Sequence, residues 1–372
     1  MAEYLTNTTD LTKVASAIRE KGGTSAPLVY PDGFVSAVQA IQTGTELQII
    51  VTVESGATVT ATKGSLSVSG TSVNGTCTLT VPEAGTWSVS ATLGGQTSDT
   101  KSVSVVDSYA VALSFVSSTL NDNEWSVIKS VSDAGQGENY WSIGDRKAVT
   151  LNGTVGALTL SNATTYVFII GFNHNSSVEG INRIHFQLGK TALSGGTDVA
   201  LCDSHYNNTG GGFRMNTSNS NSGGWASSNM RTAICGTSLS SYSGTIIAVI
   251  PAALRAVLKS VTKYTNNTGN NSTASAVTAT TDYFFLLSEF EVFGSISYGN
   301  TNEKNKQAQY AYYSAGNSKI KYKHDGTSIA AGWWLRSPRA SNSNRFVIVD
   351  AGGTEYFSRA STSLGFAPGF CV

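Results

Sequence analysis

Two short constellations in this chain have residue types and spacing suited to chemistry. Cys202-Asp-Ser-His205 sets a thiol and an imidazole three residues apart, as a metal site would. Tetrahedral zinc takes four donors, and no second pair of comparable spacing accompanies this one, so no metal is expected. Glu289 and Glu291 stand two apart in SEFEVFG. On a strand they would share a face, at the ~5 to 9 Å separation of a glycosidase carboxylate pair. The competing reading makes one a helix cap and the other a salt-bridge partner. The remaining cysteines, Cys77, Cys235 and Cys371, are widely scattered and read as reduced or buried thiols, consistent with cytoplasmic synthesis. No nucleophile elbow, Walker loop or dinucleotide fingerprint occurs. No cofactor and no catalysis are expected.

A third set of residues offers binding rather than reaction. Between GWWLRSP, which starts at Gly332, and the terminal GFAPGFCV lie Arg339, Asn342, Asn344, Arg345, Ile348, Glu355, Tyr356, Phe357, Ser358, Arg359, Ser361, Ser363 and Leu364, with Phe366 in the terminal block itself. Tyr and Arg supply contact energy in recognition surfaces, and small polar groups adapt to the partner. The plain alternative is a solvated loop. In the strand Arg345-Phe-Val-Ile-Val, strict alternation exposes Arg345, Val347 and Val349; a bulge would be needed to expose Ile348 instead.

These residues must be positioned by a long chain. At 372 residues, two or three domains are expected. Hydrophobic residues make up 40%, enough for a folded protein, while charged residues make up only 13%, about half the usual share. Ser, Thr, Asn and Gly replace the missing charge. The balance of 24 basic and 24 acidic residues removes the positive field expected of a nucleic-acid or anionic-membrane binder. The N-terminus has no signal-like apolar core and no run approaches the ~20 residues of a membrane span. The usual export route and membrane insertion are therefore not expected.

Residues 1–45 carry two short amphipathic patterns. Leu11, Val14, Ala15 and Ile18 follow Asp10, a suitable N-cap, and Gly22-Gly23 ends the run; Phe34, Val35, Val38 and Ile41 follow the Pro31-Asp32-Gly33 turn. Two such helices must dock on a partner, a copy of themselves or another domain. The segment DLTKVASAIREKGGTSAPLVYPDGFVSAVQAI resembles an N-terminal module of phage and prophage tail proteins of Gram-positive bacteria, which implies attachment to other tail or baseplate proteins.

From 46 to 106 the period becomes two. LQIIVTV, ATVTAT, GTCTLTV, GTWSVSATL and TKSVSVV alternate β-branched and polar residues between Gly-containing turns. This predicts a small all-β sandwich with Trp87 in its core. The segment resembles the immunoglobulin-like spacers of phage tail and surface proteins, without the paired cysteines of antibody domains.

Residues 107–372 mix strands and helices. Trp141-Ser-Ile-Gly-Asp145 through Leu151 and Thr165 through His174 read as strands; NSGGW opens a helix with Met230, Ile234 and Cys235 inward; Pro251 starts another; DYFFLLSEFEVFG is an apolar strand entering a helical turn. An α+β domain is expected. The order WSIGD, FNH, NSGGW, SEFEVFG, GWWLRSP, GFAPGFCV over 125–372 resembles a family of phage and bacterial proteins with a C-type-lectin-like domain, related in fold to formylglycine-generating enzymes. Several members are variable proteins of diversity-generating retroelements, tropism-determining phage tail proteins among them. The oxidation performed by the enzymatic relatives needs two close cysteines, whereas Cys371 is the only one after Cys235. Neither Glu-Pro-Asn nor Gln-Pro-Asp, the calcium-dependent sugar motifs, is present.

The resemblance implies that the set from Arg339 to Phe366 is a variable receptor-binding surface, including Ile348, and that Trp334, Pro338, Gly365 and Phe370 are scaffold. Retroelements alter template adenines, turning Asn codons into Tyr, Ser, Arg, Phe, Leu or Ile among others, which suits Arg339, Arg345, Tyr356, Phe357, Arg359, Ser363 and Leu364. The expectation is a multidomain virion protein, a homotrimer at the tail tip, that recognises a bacterial cell-surface protein or polysaccharide without cleaving it. A glycan-cleaving tail protein using Glu289 and Glu291, and a bacterial surface adhesin, are the alternatives.

Overall fold

The computed structural model describes residues 8–22, 27–39 and 46–372. Two compact units emerge: residues up to Gly95 with Thr100–Leu113, and residues 96–99 with Ser114–Val372. Gly23 and Ile41, read above as a helix stop and part of a helical face, lie outside the described residues.

In the first unit the helices span Thr8–Gly22 and Asp32–Gln39. The first begins before Asp10, which therefore falls inside the opening turn rather than ahead of it as a cap. Ala15, Ile18 and Ala37 are buried, but Val14, Val35 and Val38 are about half exposed, and Val29 and Tyr30 are exposed further still. Helical periodicity marks these valines as inward, whereas the helices cover only part of that face.

The strands that follow form two sheets. Gln48–Thr52 lies between Thr76–Thr80, antiparallel to it, and Ser108–Ala112, parallel to it. The other sheet runs Leu66–Thr71, Thr58–Lys63, Gly85–Leu93, Lys101–Val105, all antiparallel. Period-two sequence becomes period-two burial: Ile49 and Val51, Val59 and Ala61, Cys77 and Leu79, Val103 and Val105 point inward around a fully buried Trp87. The pairing of Ser108–Ala112 with Gln48–Thr52 carries these sheets past 106, the expected end of the period-two pattern.

The second unit is built on a five-stranded sheet in the order Phe284–Phe285, Gly369–Cys371, Ile184–Lys190, Leu158–Phe172, Arg146–Val155. The first of the expected strands thus begins at Arg146, after Trp141, and the second extends from Leu158 to Phe172. The terminal block is a strand inside this sheet, and Phe370 stacks on Phe186 at 5.3 Å. Met230, Ile234 and Cys235 face inward from the helical segment Met230–Cys235, and Pro251 immediately precedes the helix Ala252–Arg255. The unit is mostly β with short helices, and among the described residues no helix is long and apolar enough to cross a membrane.

A second, three-stranded sheet carries several residues of the expected surface set: Trp333–Pro338, Arg345–Val349 and Glu355–Arg359, antiparallel in that order. Its inner strand is buried throughout. Gly365 lies against it so closely that a Cβ there would fall 2.8 Å from the Ala200 Cβ and 3.0 Å from the Gly332 carbonyl. That contact explains why the terminal block must begin with glycine.

Candidate functional site

The strand Trp333–Pro338 joins apolar packing to one buried ion pair. Trp333, Trp334 and Leu335 fill the core; Arg336, also fully buried, turns to polar partners. Its guanidinium donates to both oxygens of Glu291, one through Nη2 at 2.8 Å, while Nε donates to Thr265 Oγ1 and Nη1 to the Leu286 carbonyl, each at 2.8 Å. Glu291 also closes a capping box with Ser288 at the start of the helix Glu289–Phe293. Lys263 Nζ extends the network, donating to Glu179 Oε2 at 2.7 Å, Tyr310 OH at 2.8 Å and Glu291 Oε1 at 3.0 Å. Burial alone would raise the Glu291 carboxyl, but Arg336 and Lys263 outweigh it and hold it below the usual carboxylate range.

Glu303 lies behind the same strand, accepting from Ser337 Oγ at 2.7 Å and from the Asn266 N–H at 2.9 Å. Burial pushes its carboxyl up from 4.5 to about 7. The folded state holds this proton more tightly than the unfolded chain, so the contribution is full below about 4.5 and is lost as pH rises to about 7. Each tenfold gain in proton affinity is worth about 1.4 kcal/mol, so the loss approaches roughly 3 kcal/mol. Glu303→Gln, which stays neutral, is expected to flatten the decline in urea midpoint between pH 5 and 7; an unchanged decline would assign it to other groups.

Glu289 and Glu291 are therefore on a helix, not a strand, and they diverge. Glu289 takes the backbone N–H groups of Ser297, Tyr298 and Gly299 at 2.8, 2.9 and 2.6 Å. Both carboxylates are fully buried. They work as one loop holder and one cap with an ion pair, and no exposed acid–base pair is formed.

The loop held by Glu289 carries Tyr298, whose carbonyl accepts the Ala340 N–H at 2.9 Å. Its ring meets Phe357 edge-on at 4.9 Å, and Phe357 stacks with Tyr356 at 4.4 Å. The Arg339 guanidinium lies 3.8 Å and that of Arg345 4.7 Å from the Phe357 ring centre. Strand register places Arg345 directly opposite Arg359. Tyr356 and Arg359 are exposed, while Arg339, Asn342, Asn344, Arg345, Glu355, Phe357 and Ser358 are partly exposed. These members of the expected set are thus brought together at one edge of this sheet.

Two supporting residues escape the sequence reading. Tyr298 has no motif to mark it. Asn221, fully buried, reaches the carbonyls of Asn342, Arg345 and Arg339 with its amide nitrogen at 2.7, 2.9 and 3.2 Å. It ties down the loop 339–345 from more than a hundred residues away, which no local pattern reveals.

Five expected surface residues are instead buried. Ile348 is only 7% exposed, and Val347 and Val349 are not exposed at all, because both faces of the strand Arg345–Val349 are covered. Its pairing with Glu355–Arg359 is regular; the irregularity lies on the Trp333–Pro338 side. Ser361, Ser363, Leu364 and Phe366 are drawn in by the loop 201–213. Ser361 accepts the Gly210 N–H through its carbonyl, Ser363 Oγ donates to Asp203 Oδ1 at 2.9 Å, the Leu364 N–H reaches the Phe213 carbonyl at 3.1 Å, and Phe366 stacks on Phe213.

That loop also explains Cys202-Asp-Ser-His205. Asp203 is its organiser, accepting the N–H groups of His205 and Gly212 at 2.9 and 2.6 Å. All four cysteines are free and buried. A different trio, His174, Glu179 and His185, brings donor atoms within 4.8 Å of one another, close enough for a divalent ion. The Lys263 ammonium already sits on Glu179, so the two buried carboxylates Glu179 and Glu291 face two cations, Lys263 and Arg336. Burial holds His185 well below its usual pKa and hence neutral. The two carboxylates are thus balanced by these two cations, while His174 Nδ1 and His185 Nε2 are buried without a hydrogen-bond partner.

Residues 201–372 match a family described as a domain of unknown function (DUF6273). No curated protein matches the chain.

Proposed function

We propose that this chain is a receptor-binding protein of a phage or prophage tail, with a helical attachment module, an immunoglobulin-like spacer and a C-type-lectin-like tip that recognises the host surface without cleaving it. The observation that carries this reading is the cluster of Arg339, Arg345, Tyr356, Phe357 and Arg359, presented on a sheet whose inner strand is locked by buried ion pairs. Recognition surfaces work best on rigid supports. The spacer reading is supported by two sheets with alternating burial around Trp87.

Attachment is supported by the exposed apolar residues Val14, Val29, Tyr30, Val35 and Val38 of the helical module. Other tail proteins or two further copies of this chain would cover them. In a homotrimer, weak single sites would add through avidity. Diversification, if the chain has it, falls on the surface members Arg339, Asn342, Asn344, Arg345 and 355–359, since the buried members carry packing.

The test is saturable binding of the fluorescently labelled full-length protein to bacterial cells, scored across Gram-positive strains. Binding restricted to particular strains, without new reducing ends from their wall polysaccharide, is the expected result. Uniform absence of binding, or release of reducing ends, would overturn the reading.

A further inference from the structure

The geometry points to a phosphate group on a phosphodiester-linked cell-surface polymer as the ligand of this patch, with Arg339, Arg345 and Arg359 as its clamp. The inference rests on the reading of the patch as the recognition surface and goes further by assigning its chemistry.

Two guanidinium groups gather on Phe357 and Arg359 stands opposite Arg345 in register, and among the described residues none of the three has a carboxylate within 4.0 Å. Like charges directly opposite on neighbouring strands repel, so the Arg345–Arg359 register is unfavourable unless an anion joins it. Nearby acids do not serve. Glu355 accepts from Ser297 Oγ with one oxygen while the other is buried without a donor, and it stands four residues along the strand from Arg359, about 13 Å away at ~3.3 Å per residue. Asp350 is engaged by the N–H groups of Gly352 and Thr354 in its own turn, at 2.9 and 2.8 Å. The Nε atoms of Arg339 and Arg345 are buried without an acceptor. In a chain whose acidic and basic residues cancel, 24 against 24, this is a local excess of positive charge.

The shape of the clamp favours phosphate over carboxylate. A carboxylate presents its two oxygens in one plane, whereas the oxygens around a phosphodiester phosphorus point tetrahedrally and accept from forks arriving from different directions. The arginines arrive from different segments, the loop after Trp333–Pro338, the middle strand Arg345–Val349 and the edge strand Glu355–Arg359. Phe357 fixes two of them by stacking. Beside them the half-exposed Tyr356 ring offers an apolar face for the C–H groups of a sugar or polyol repeat.

Polyglycerol phosphate and a polyuronate of matched length, titrated into the full-length protein by calorimetry, test the assignment. Polyglycerol phosphate is expected to bind, more weakly at higher salt, and to compete for strains to which the protein attaches. Arg345→Gln with Arg359→Gln is expected to weaken it at least about tenfold, with Arg345→Lys intermediate because it keeps charge and loses the fork. Arg359→Gln alone, at an exposed position, guards against a folding defect. Equal or tighter binding of the polyuronate would overturn the choice of phosphate. Cell binding that persists unchanged in the double variant, with neither polymer bound, would overturn the clamp while leaving host recognition intact. Loss of all cell binding by the unaltered protein would instead overturn recognition itself.

Discussion

Arg336→Met is expected to destabilise the C-terminal unit by about 3–5 kcal/mol, the range for removing one partner of a buried ion pair. Met follows the aliphatic stem of the side chain but ends two atoms short of the terminal guanidinium nitrogens and returns none of its hydrogen bonds. Glu291 would keep Lys263 and the Ser288 N–H while losing both guanidinium contacts, and Thr265 Oγ1 and the Leu286 carbonyl would lose a donor in the core. Most of the cost is the uncompensated carboxylate, so Arg336→Met combined with Glu291→Gln is expected to recover part of it. Urea unfolding followed by tryptophan fluorescence reads the result; Trp333 and Trp334 adjoin the site. A single-variant loss under about 1 kcal/mol would mean that the pair merely breaks even. The pH dependence adds a check. Glu291 has a folded pKa below its unfolded value, so its stabilisation is present above about 4.5 and is lost as pH falls through the folded value. The gap between the variant and the unaltered protein should therefore narrow in strong acid.

Local patterns expose the sandwich and the core strands because each is decided within a few residues. Alternation in GTWSVSATL produces the inward Trp87, Val89 and Ala91 wherever the strand pairs. The same logic fails at Arg345–Val349, where a second layer covers the supposedly wet face; alternation reports one dry face and cannot count layers. WWLRSP, which shows no alternation, is a core strand buried along its whole length. SEFEVFG also carries two signals. Its capping-box spacing, Ser288 to Glu291, is a helix start, and this outranks the strand period once Arg336 supplies a buried counter-charge. Lys263 with Glu179, and Asn221 with the loop 339–345, meet only through the tertiary fold. Ser363 misleads for another reason. Short polar residues look solvated by composition, but a hydroxyl satisfied by Asp203 is buried at little cost.

Replacing Tyr356, Phe357 and Arg359 together with Ala is expected to abolish host binding while changing stability by less than about 2 kcal/mol. The asymmetry follows from where the side chains sit. Glu355–Arg359 is the outer strand of its sheet, and its backbone pairing to Arg345–Val349 does not depend on side-chain identity. Tyr356 is 50% exposed and Arg359 is also exposed, so their truncation opens no core cavity. Phe357 contributes more, since Arg339, Arg345 and Tyr298 rest on it. At a partly solvated site each such contact falls near the low end of its range, about 0.5 kcal/mol, so the three together stay under about 2 kcal/mol. Binding has no such cushion. Aromatic and arginine anchors at the centre of an interface cost about 2 kcal/mol or more each when truncated, and each 1.4 kcal/mol is tenfold in affinity. Cell adsorption and a thermal melt on the same preparation separate the two effects. A large fall in melting temperature would make the three residues part of the core, and undiminished adsorption would move the recognition surface elsewhere on the unit.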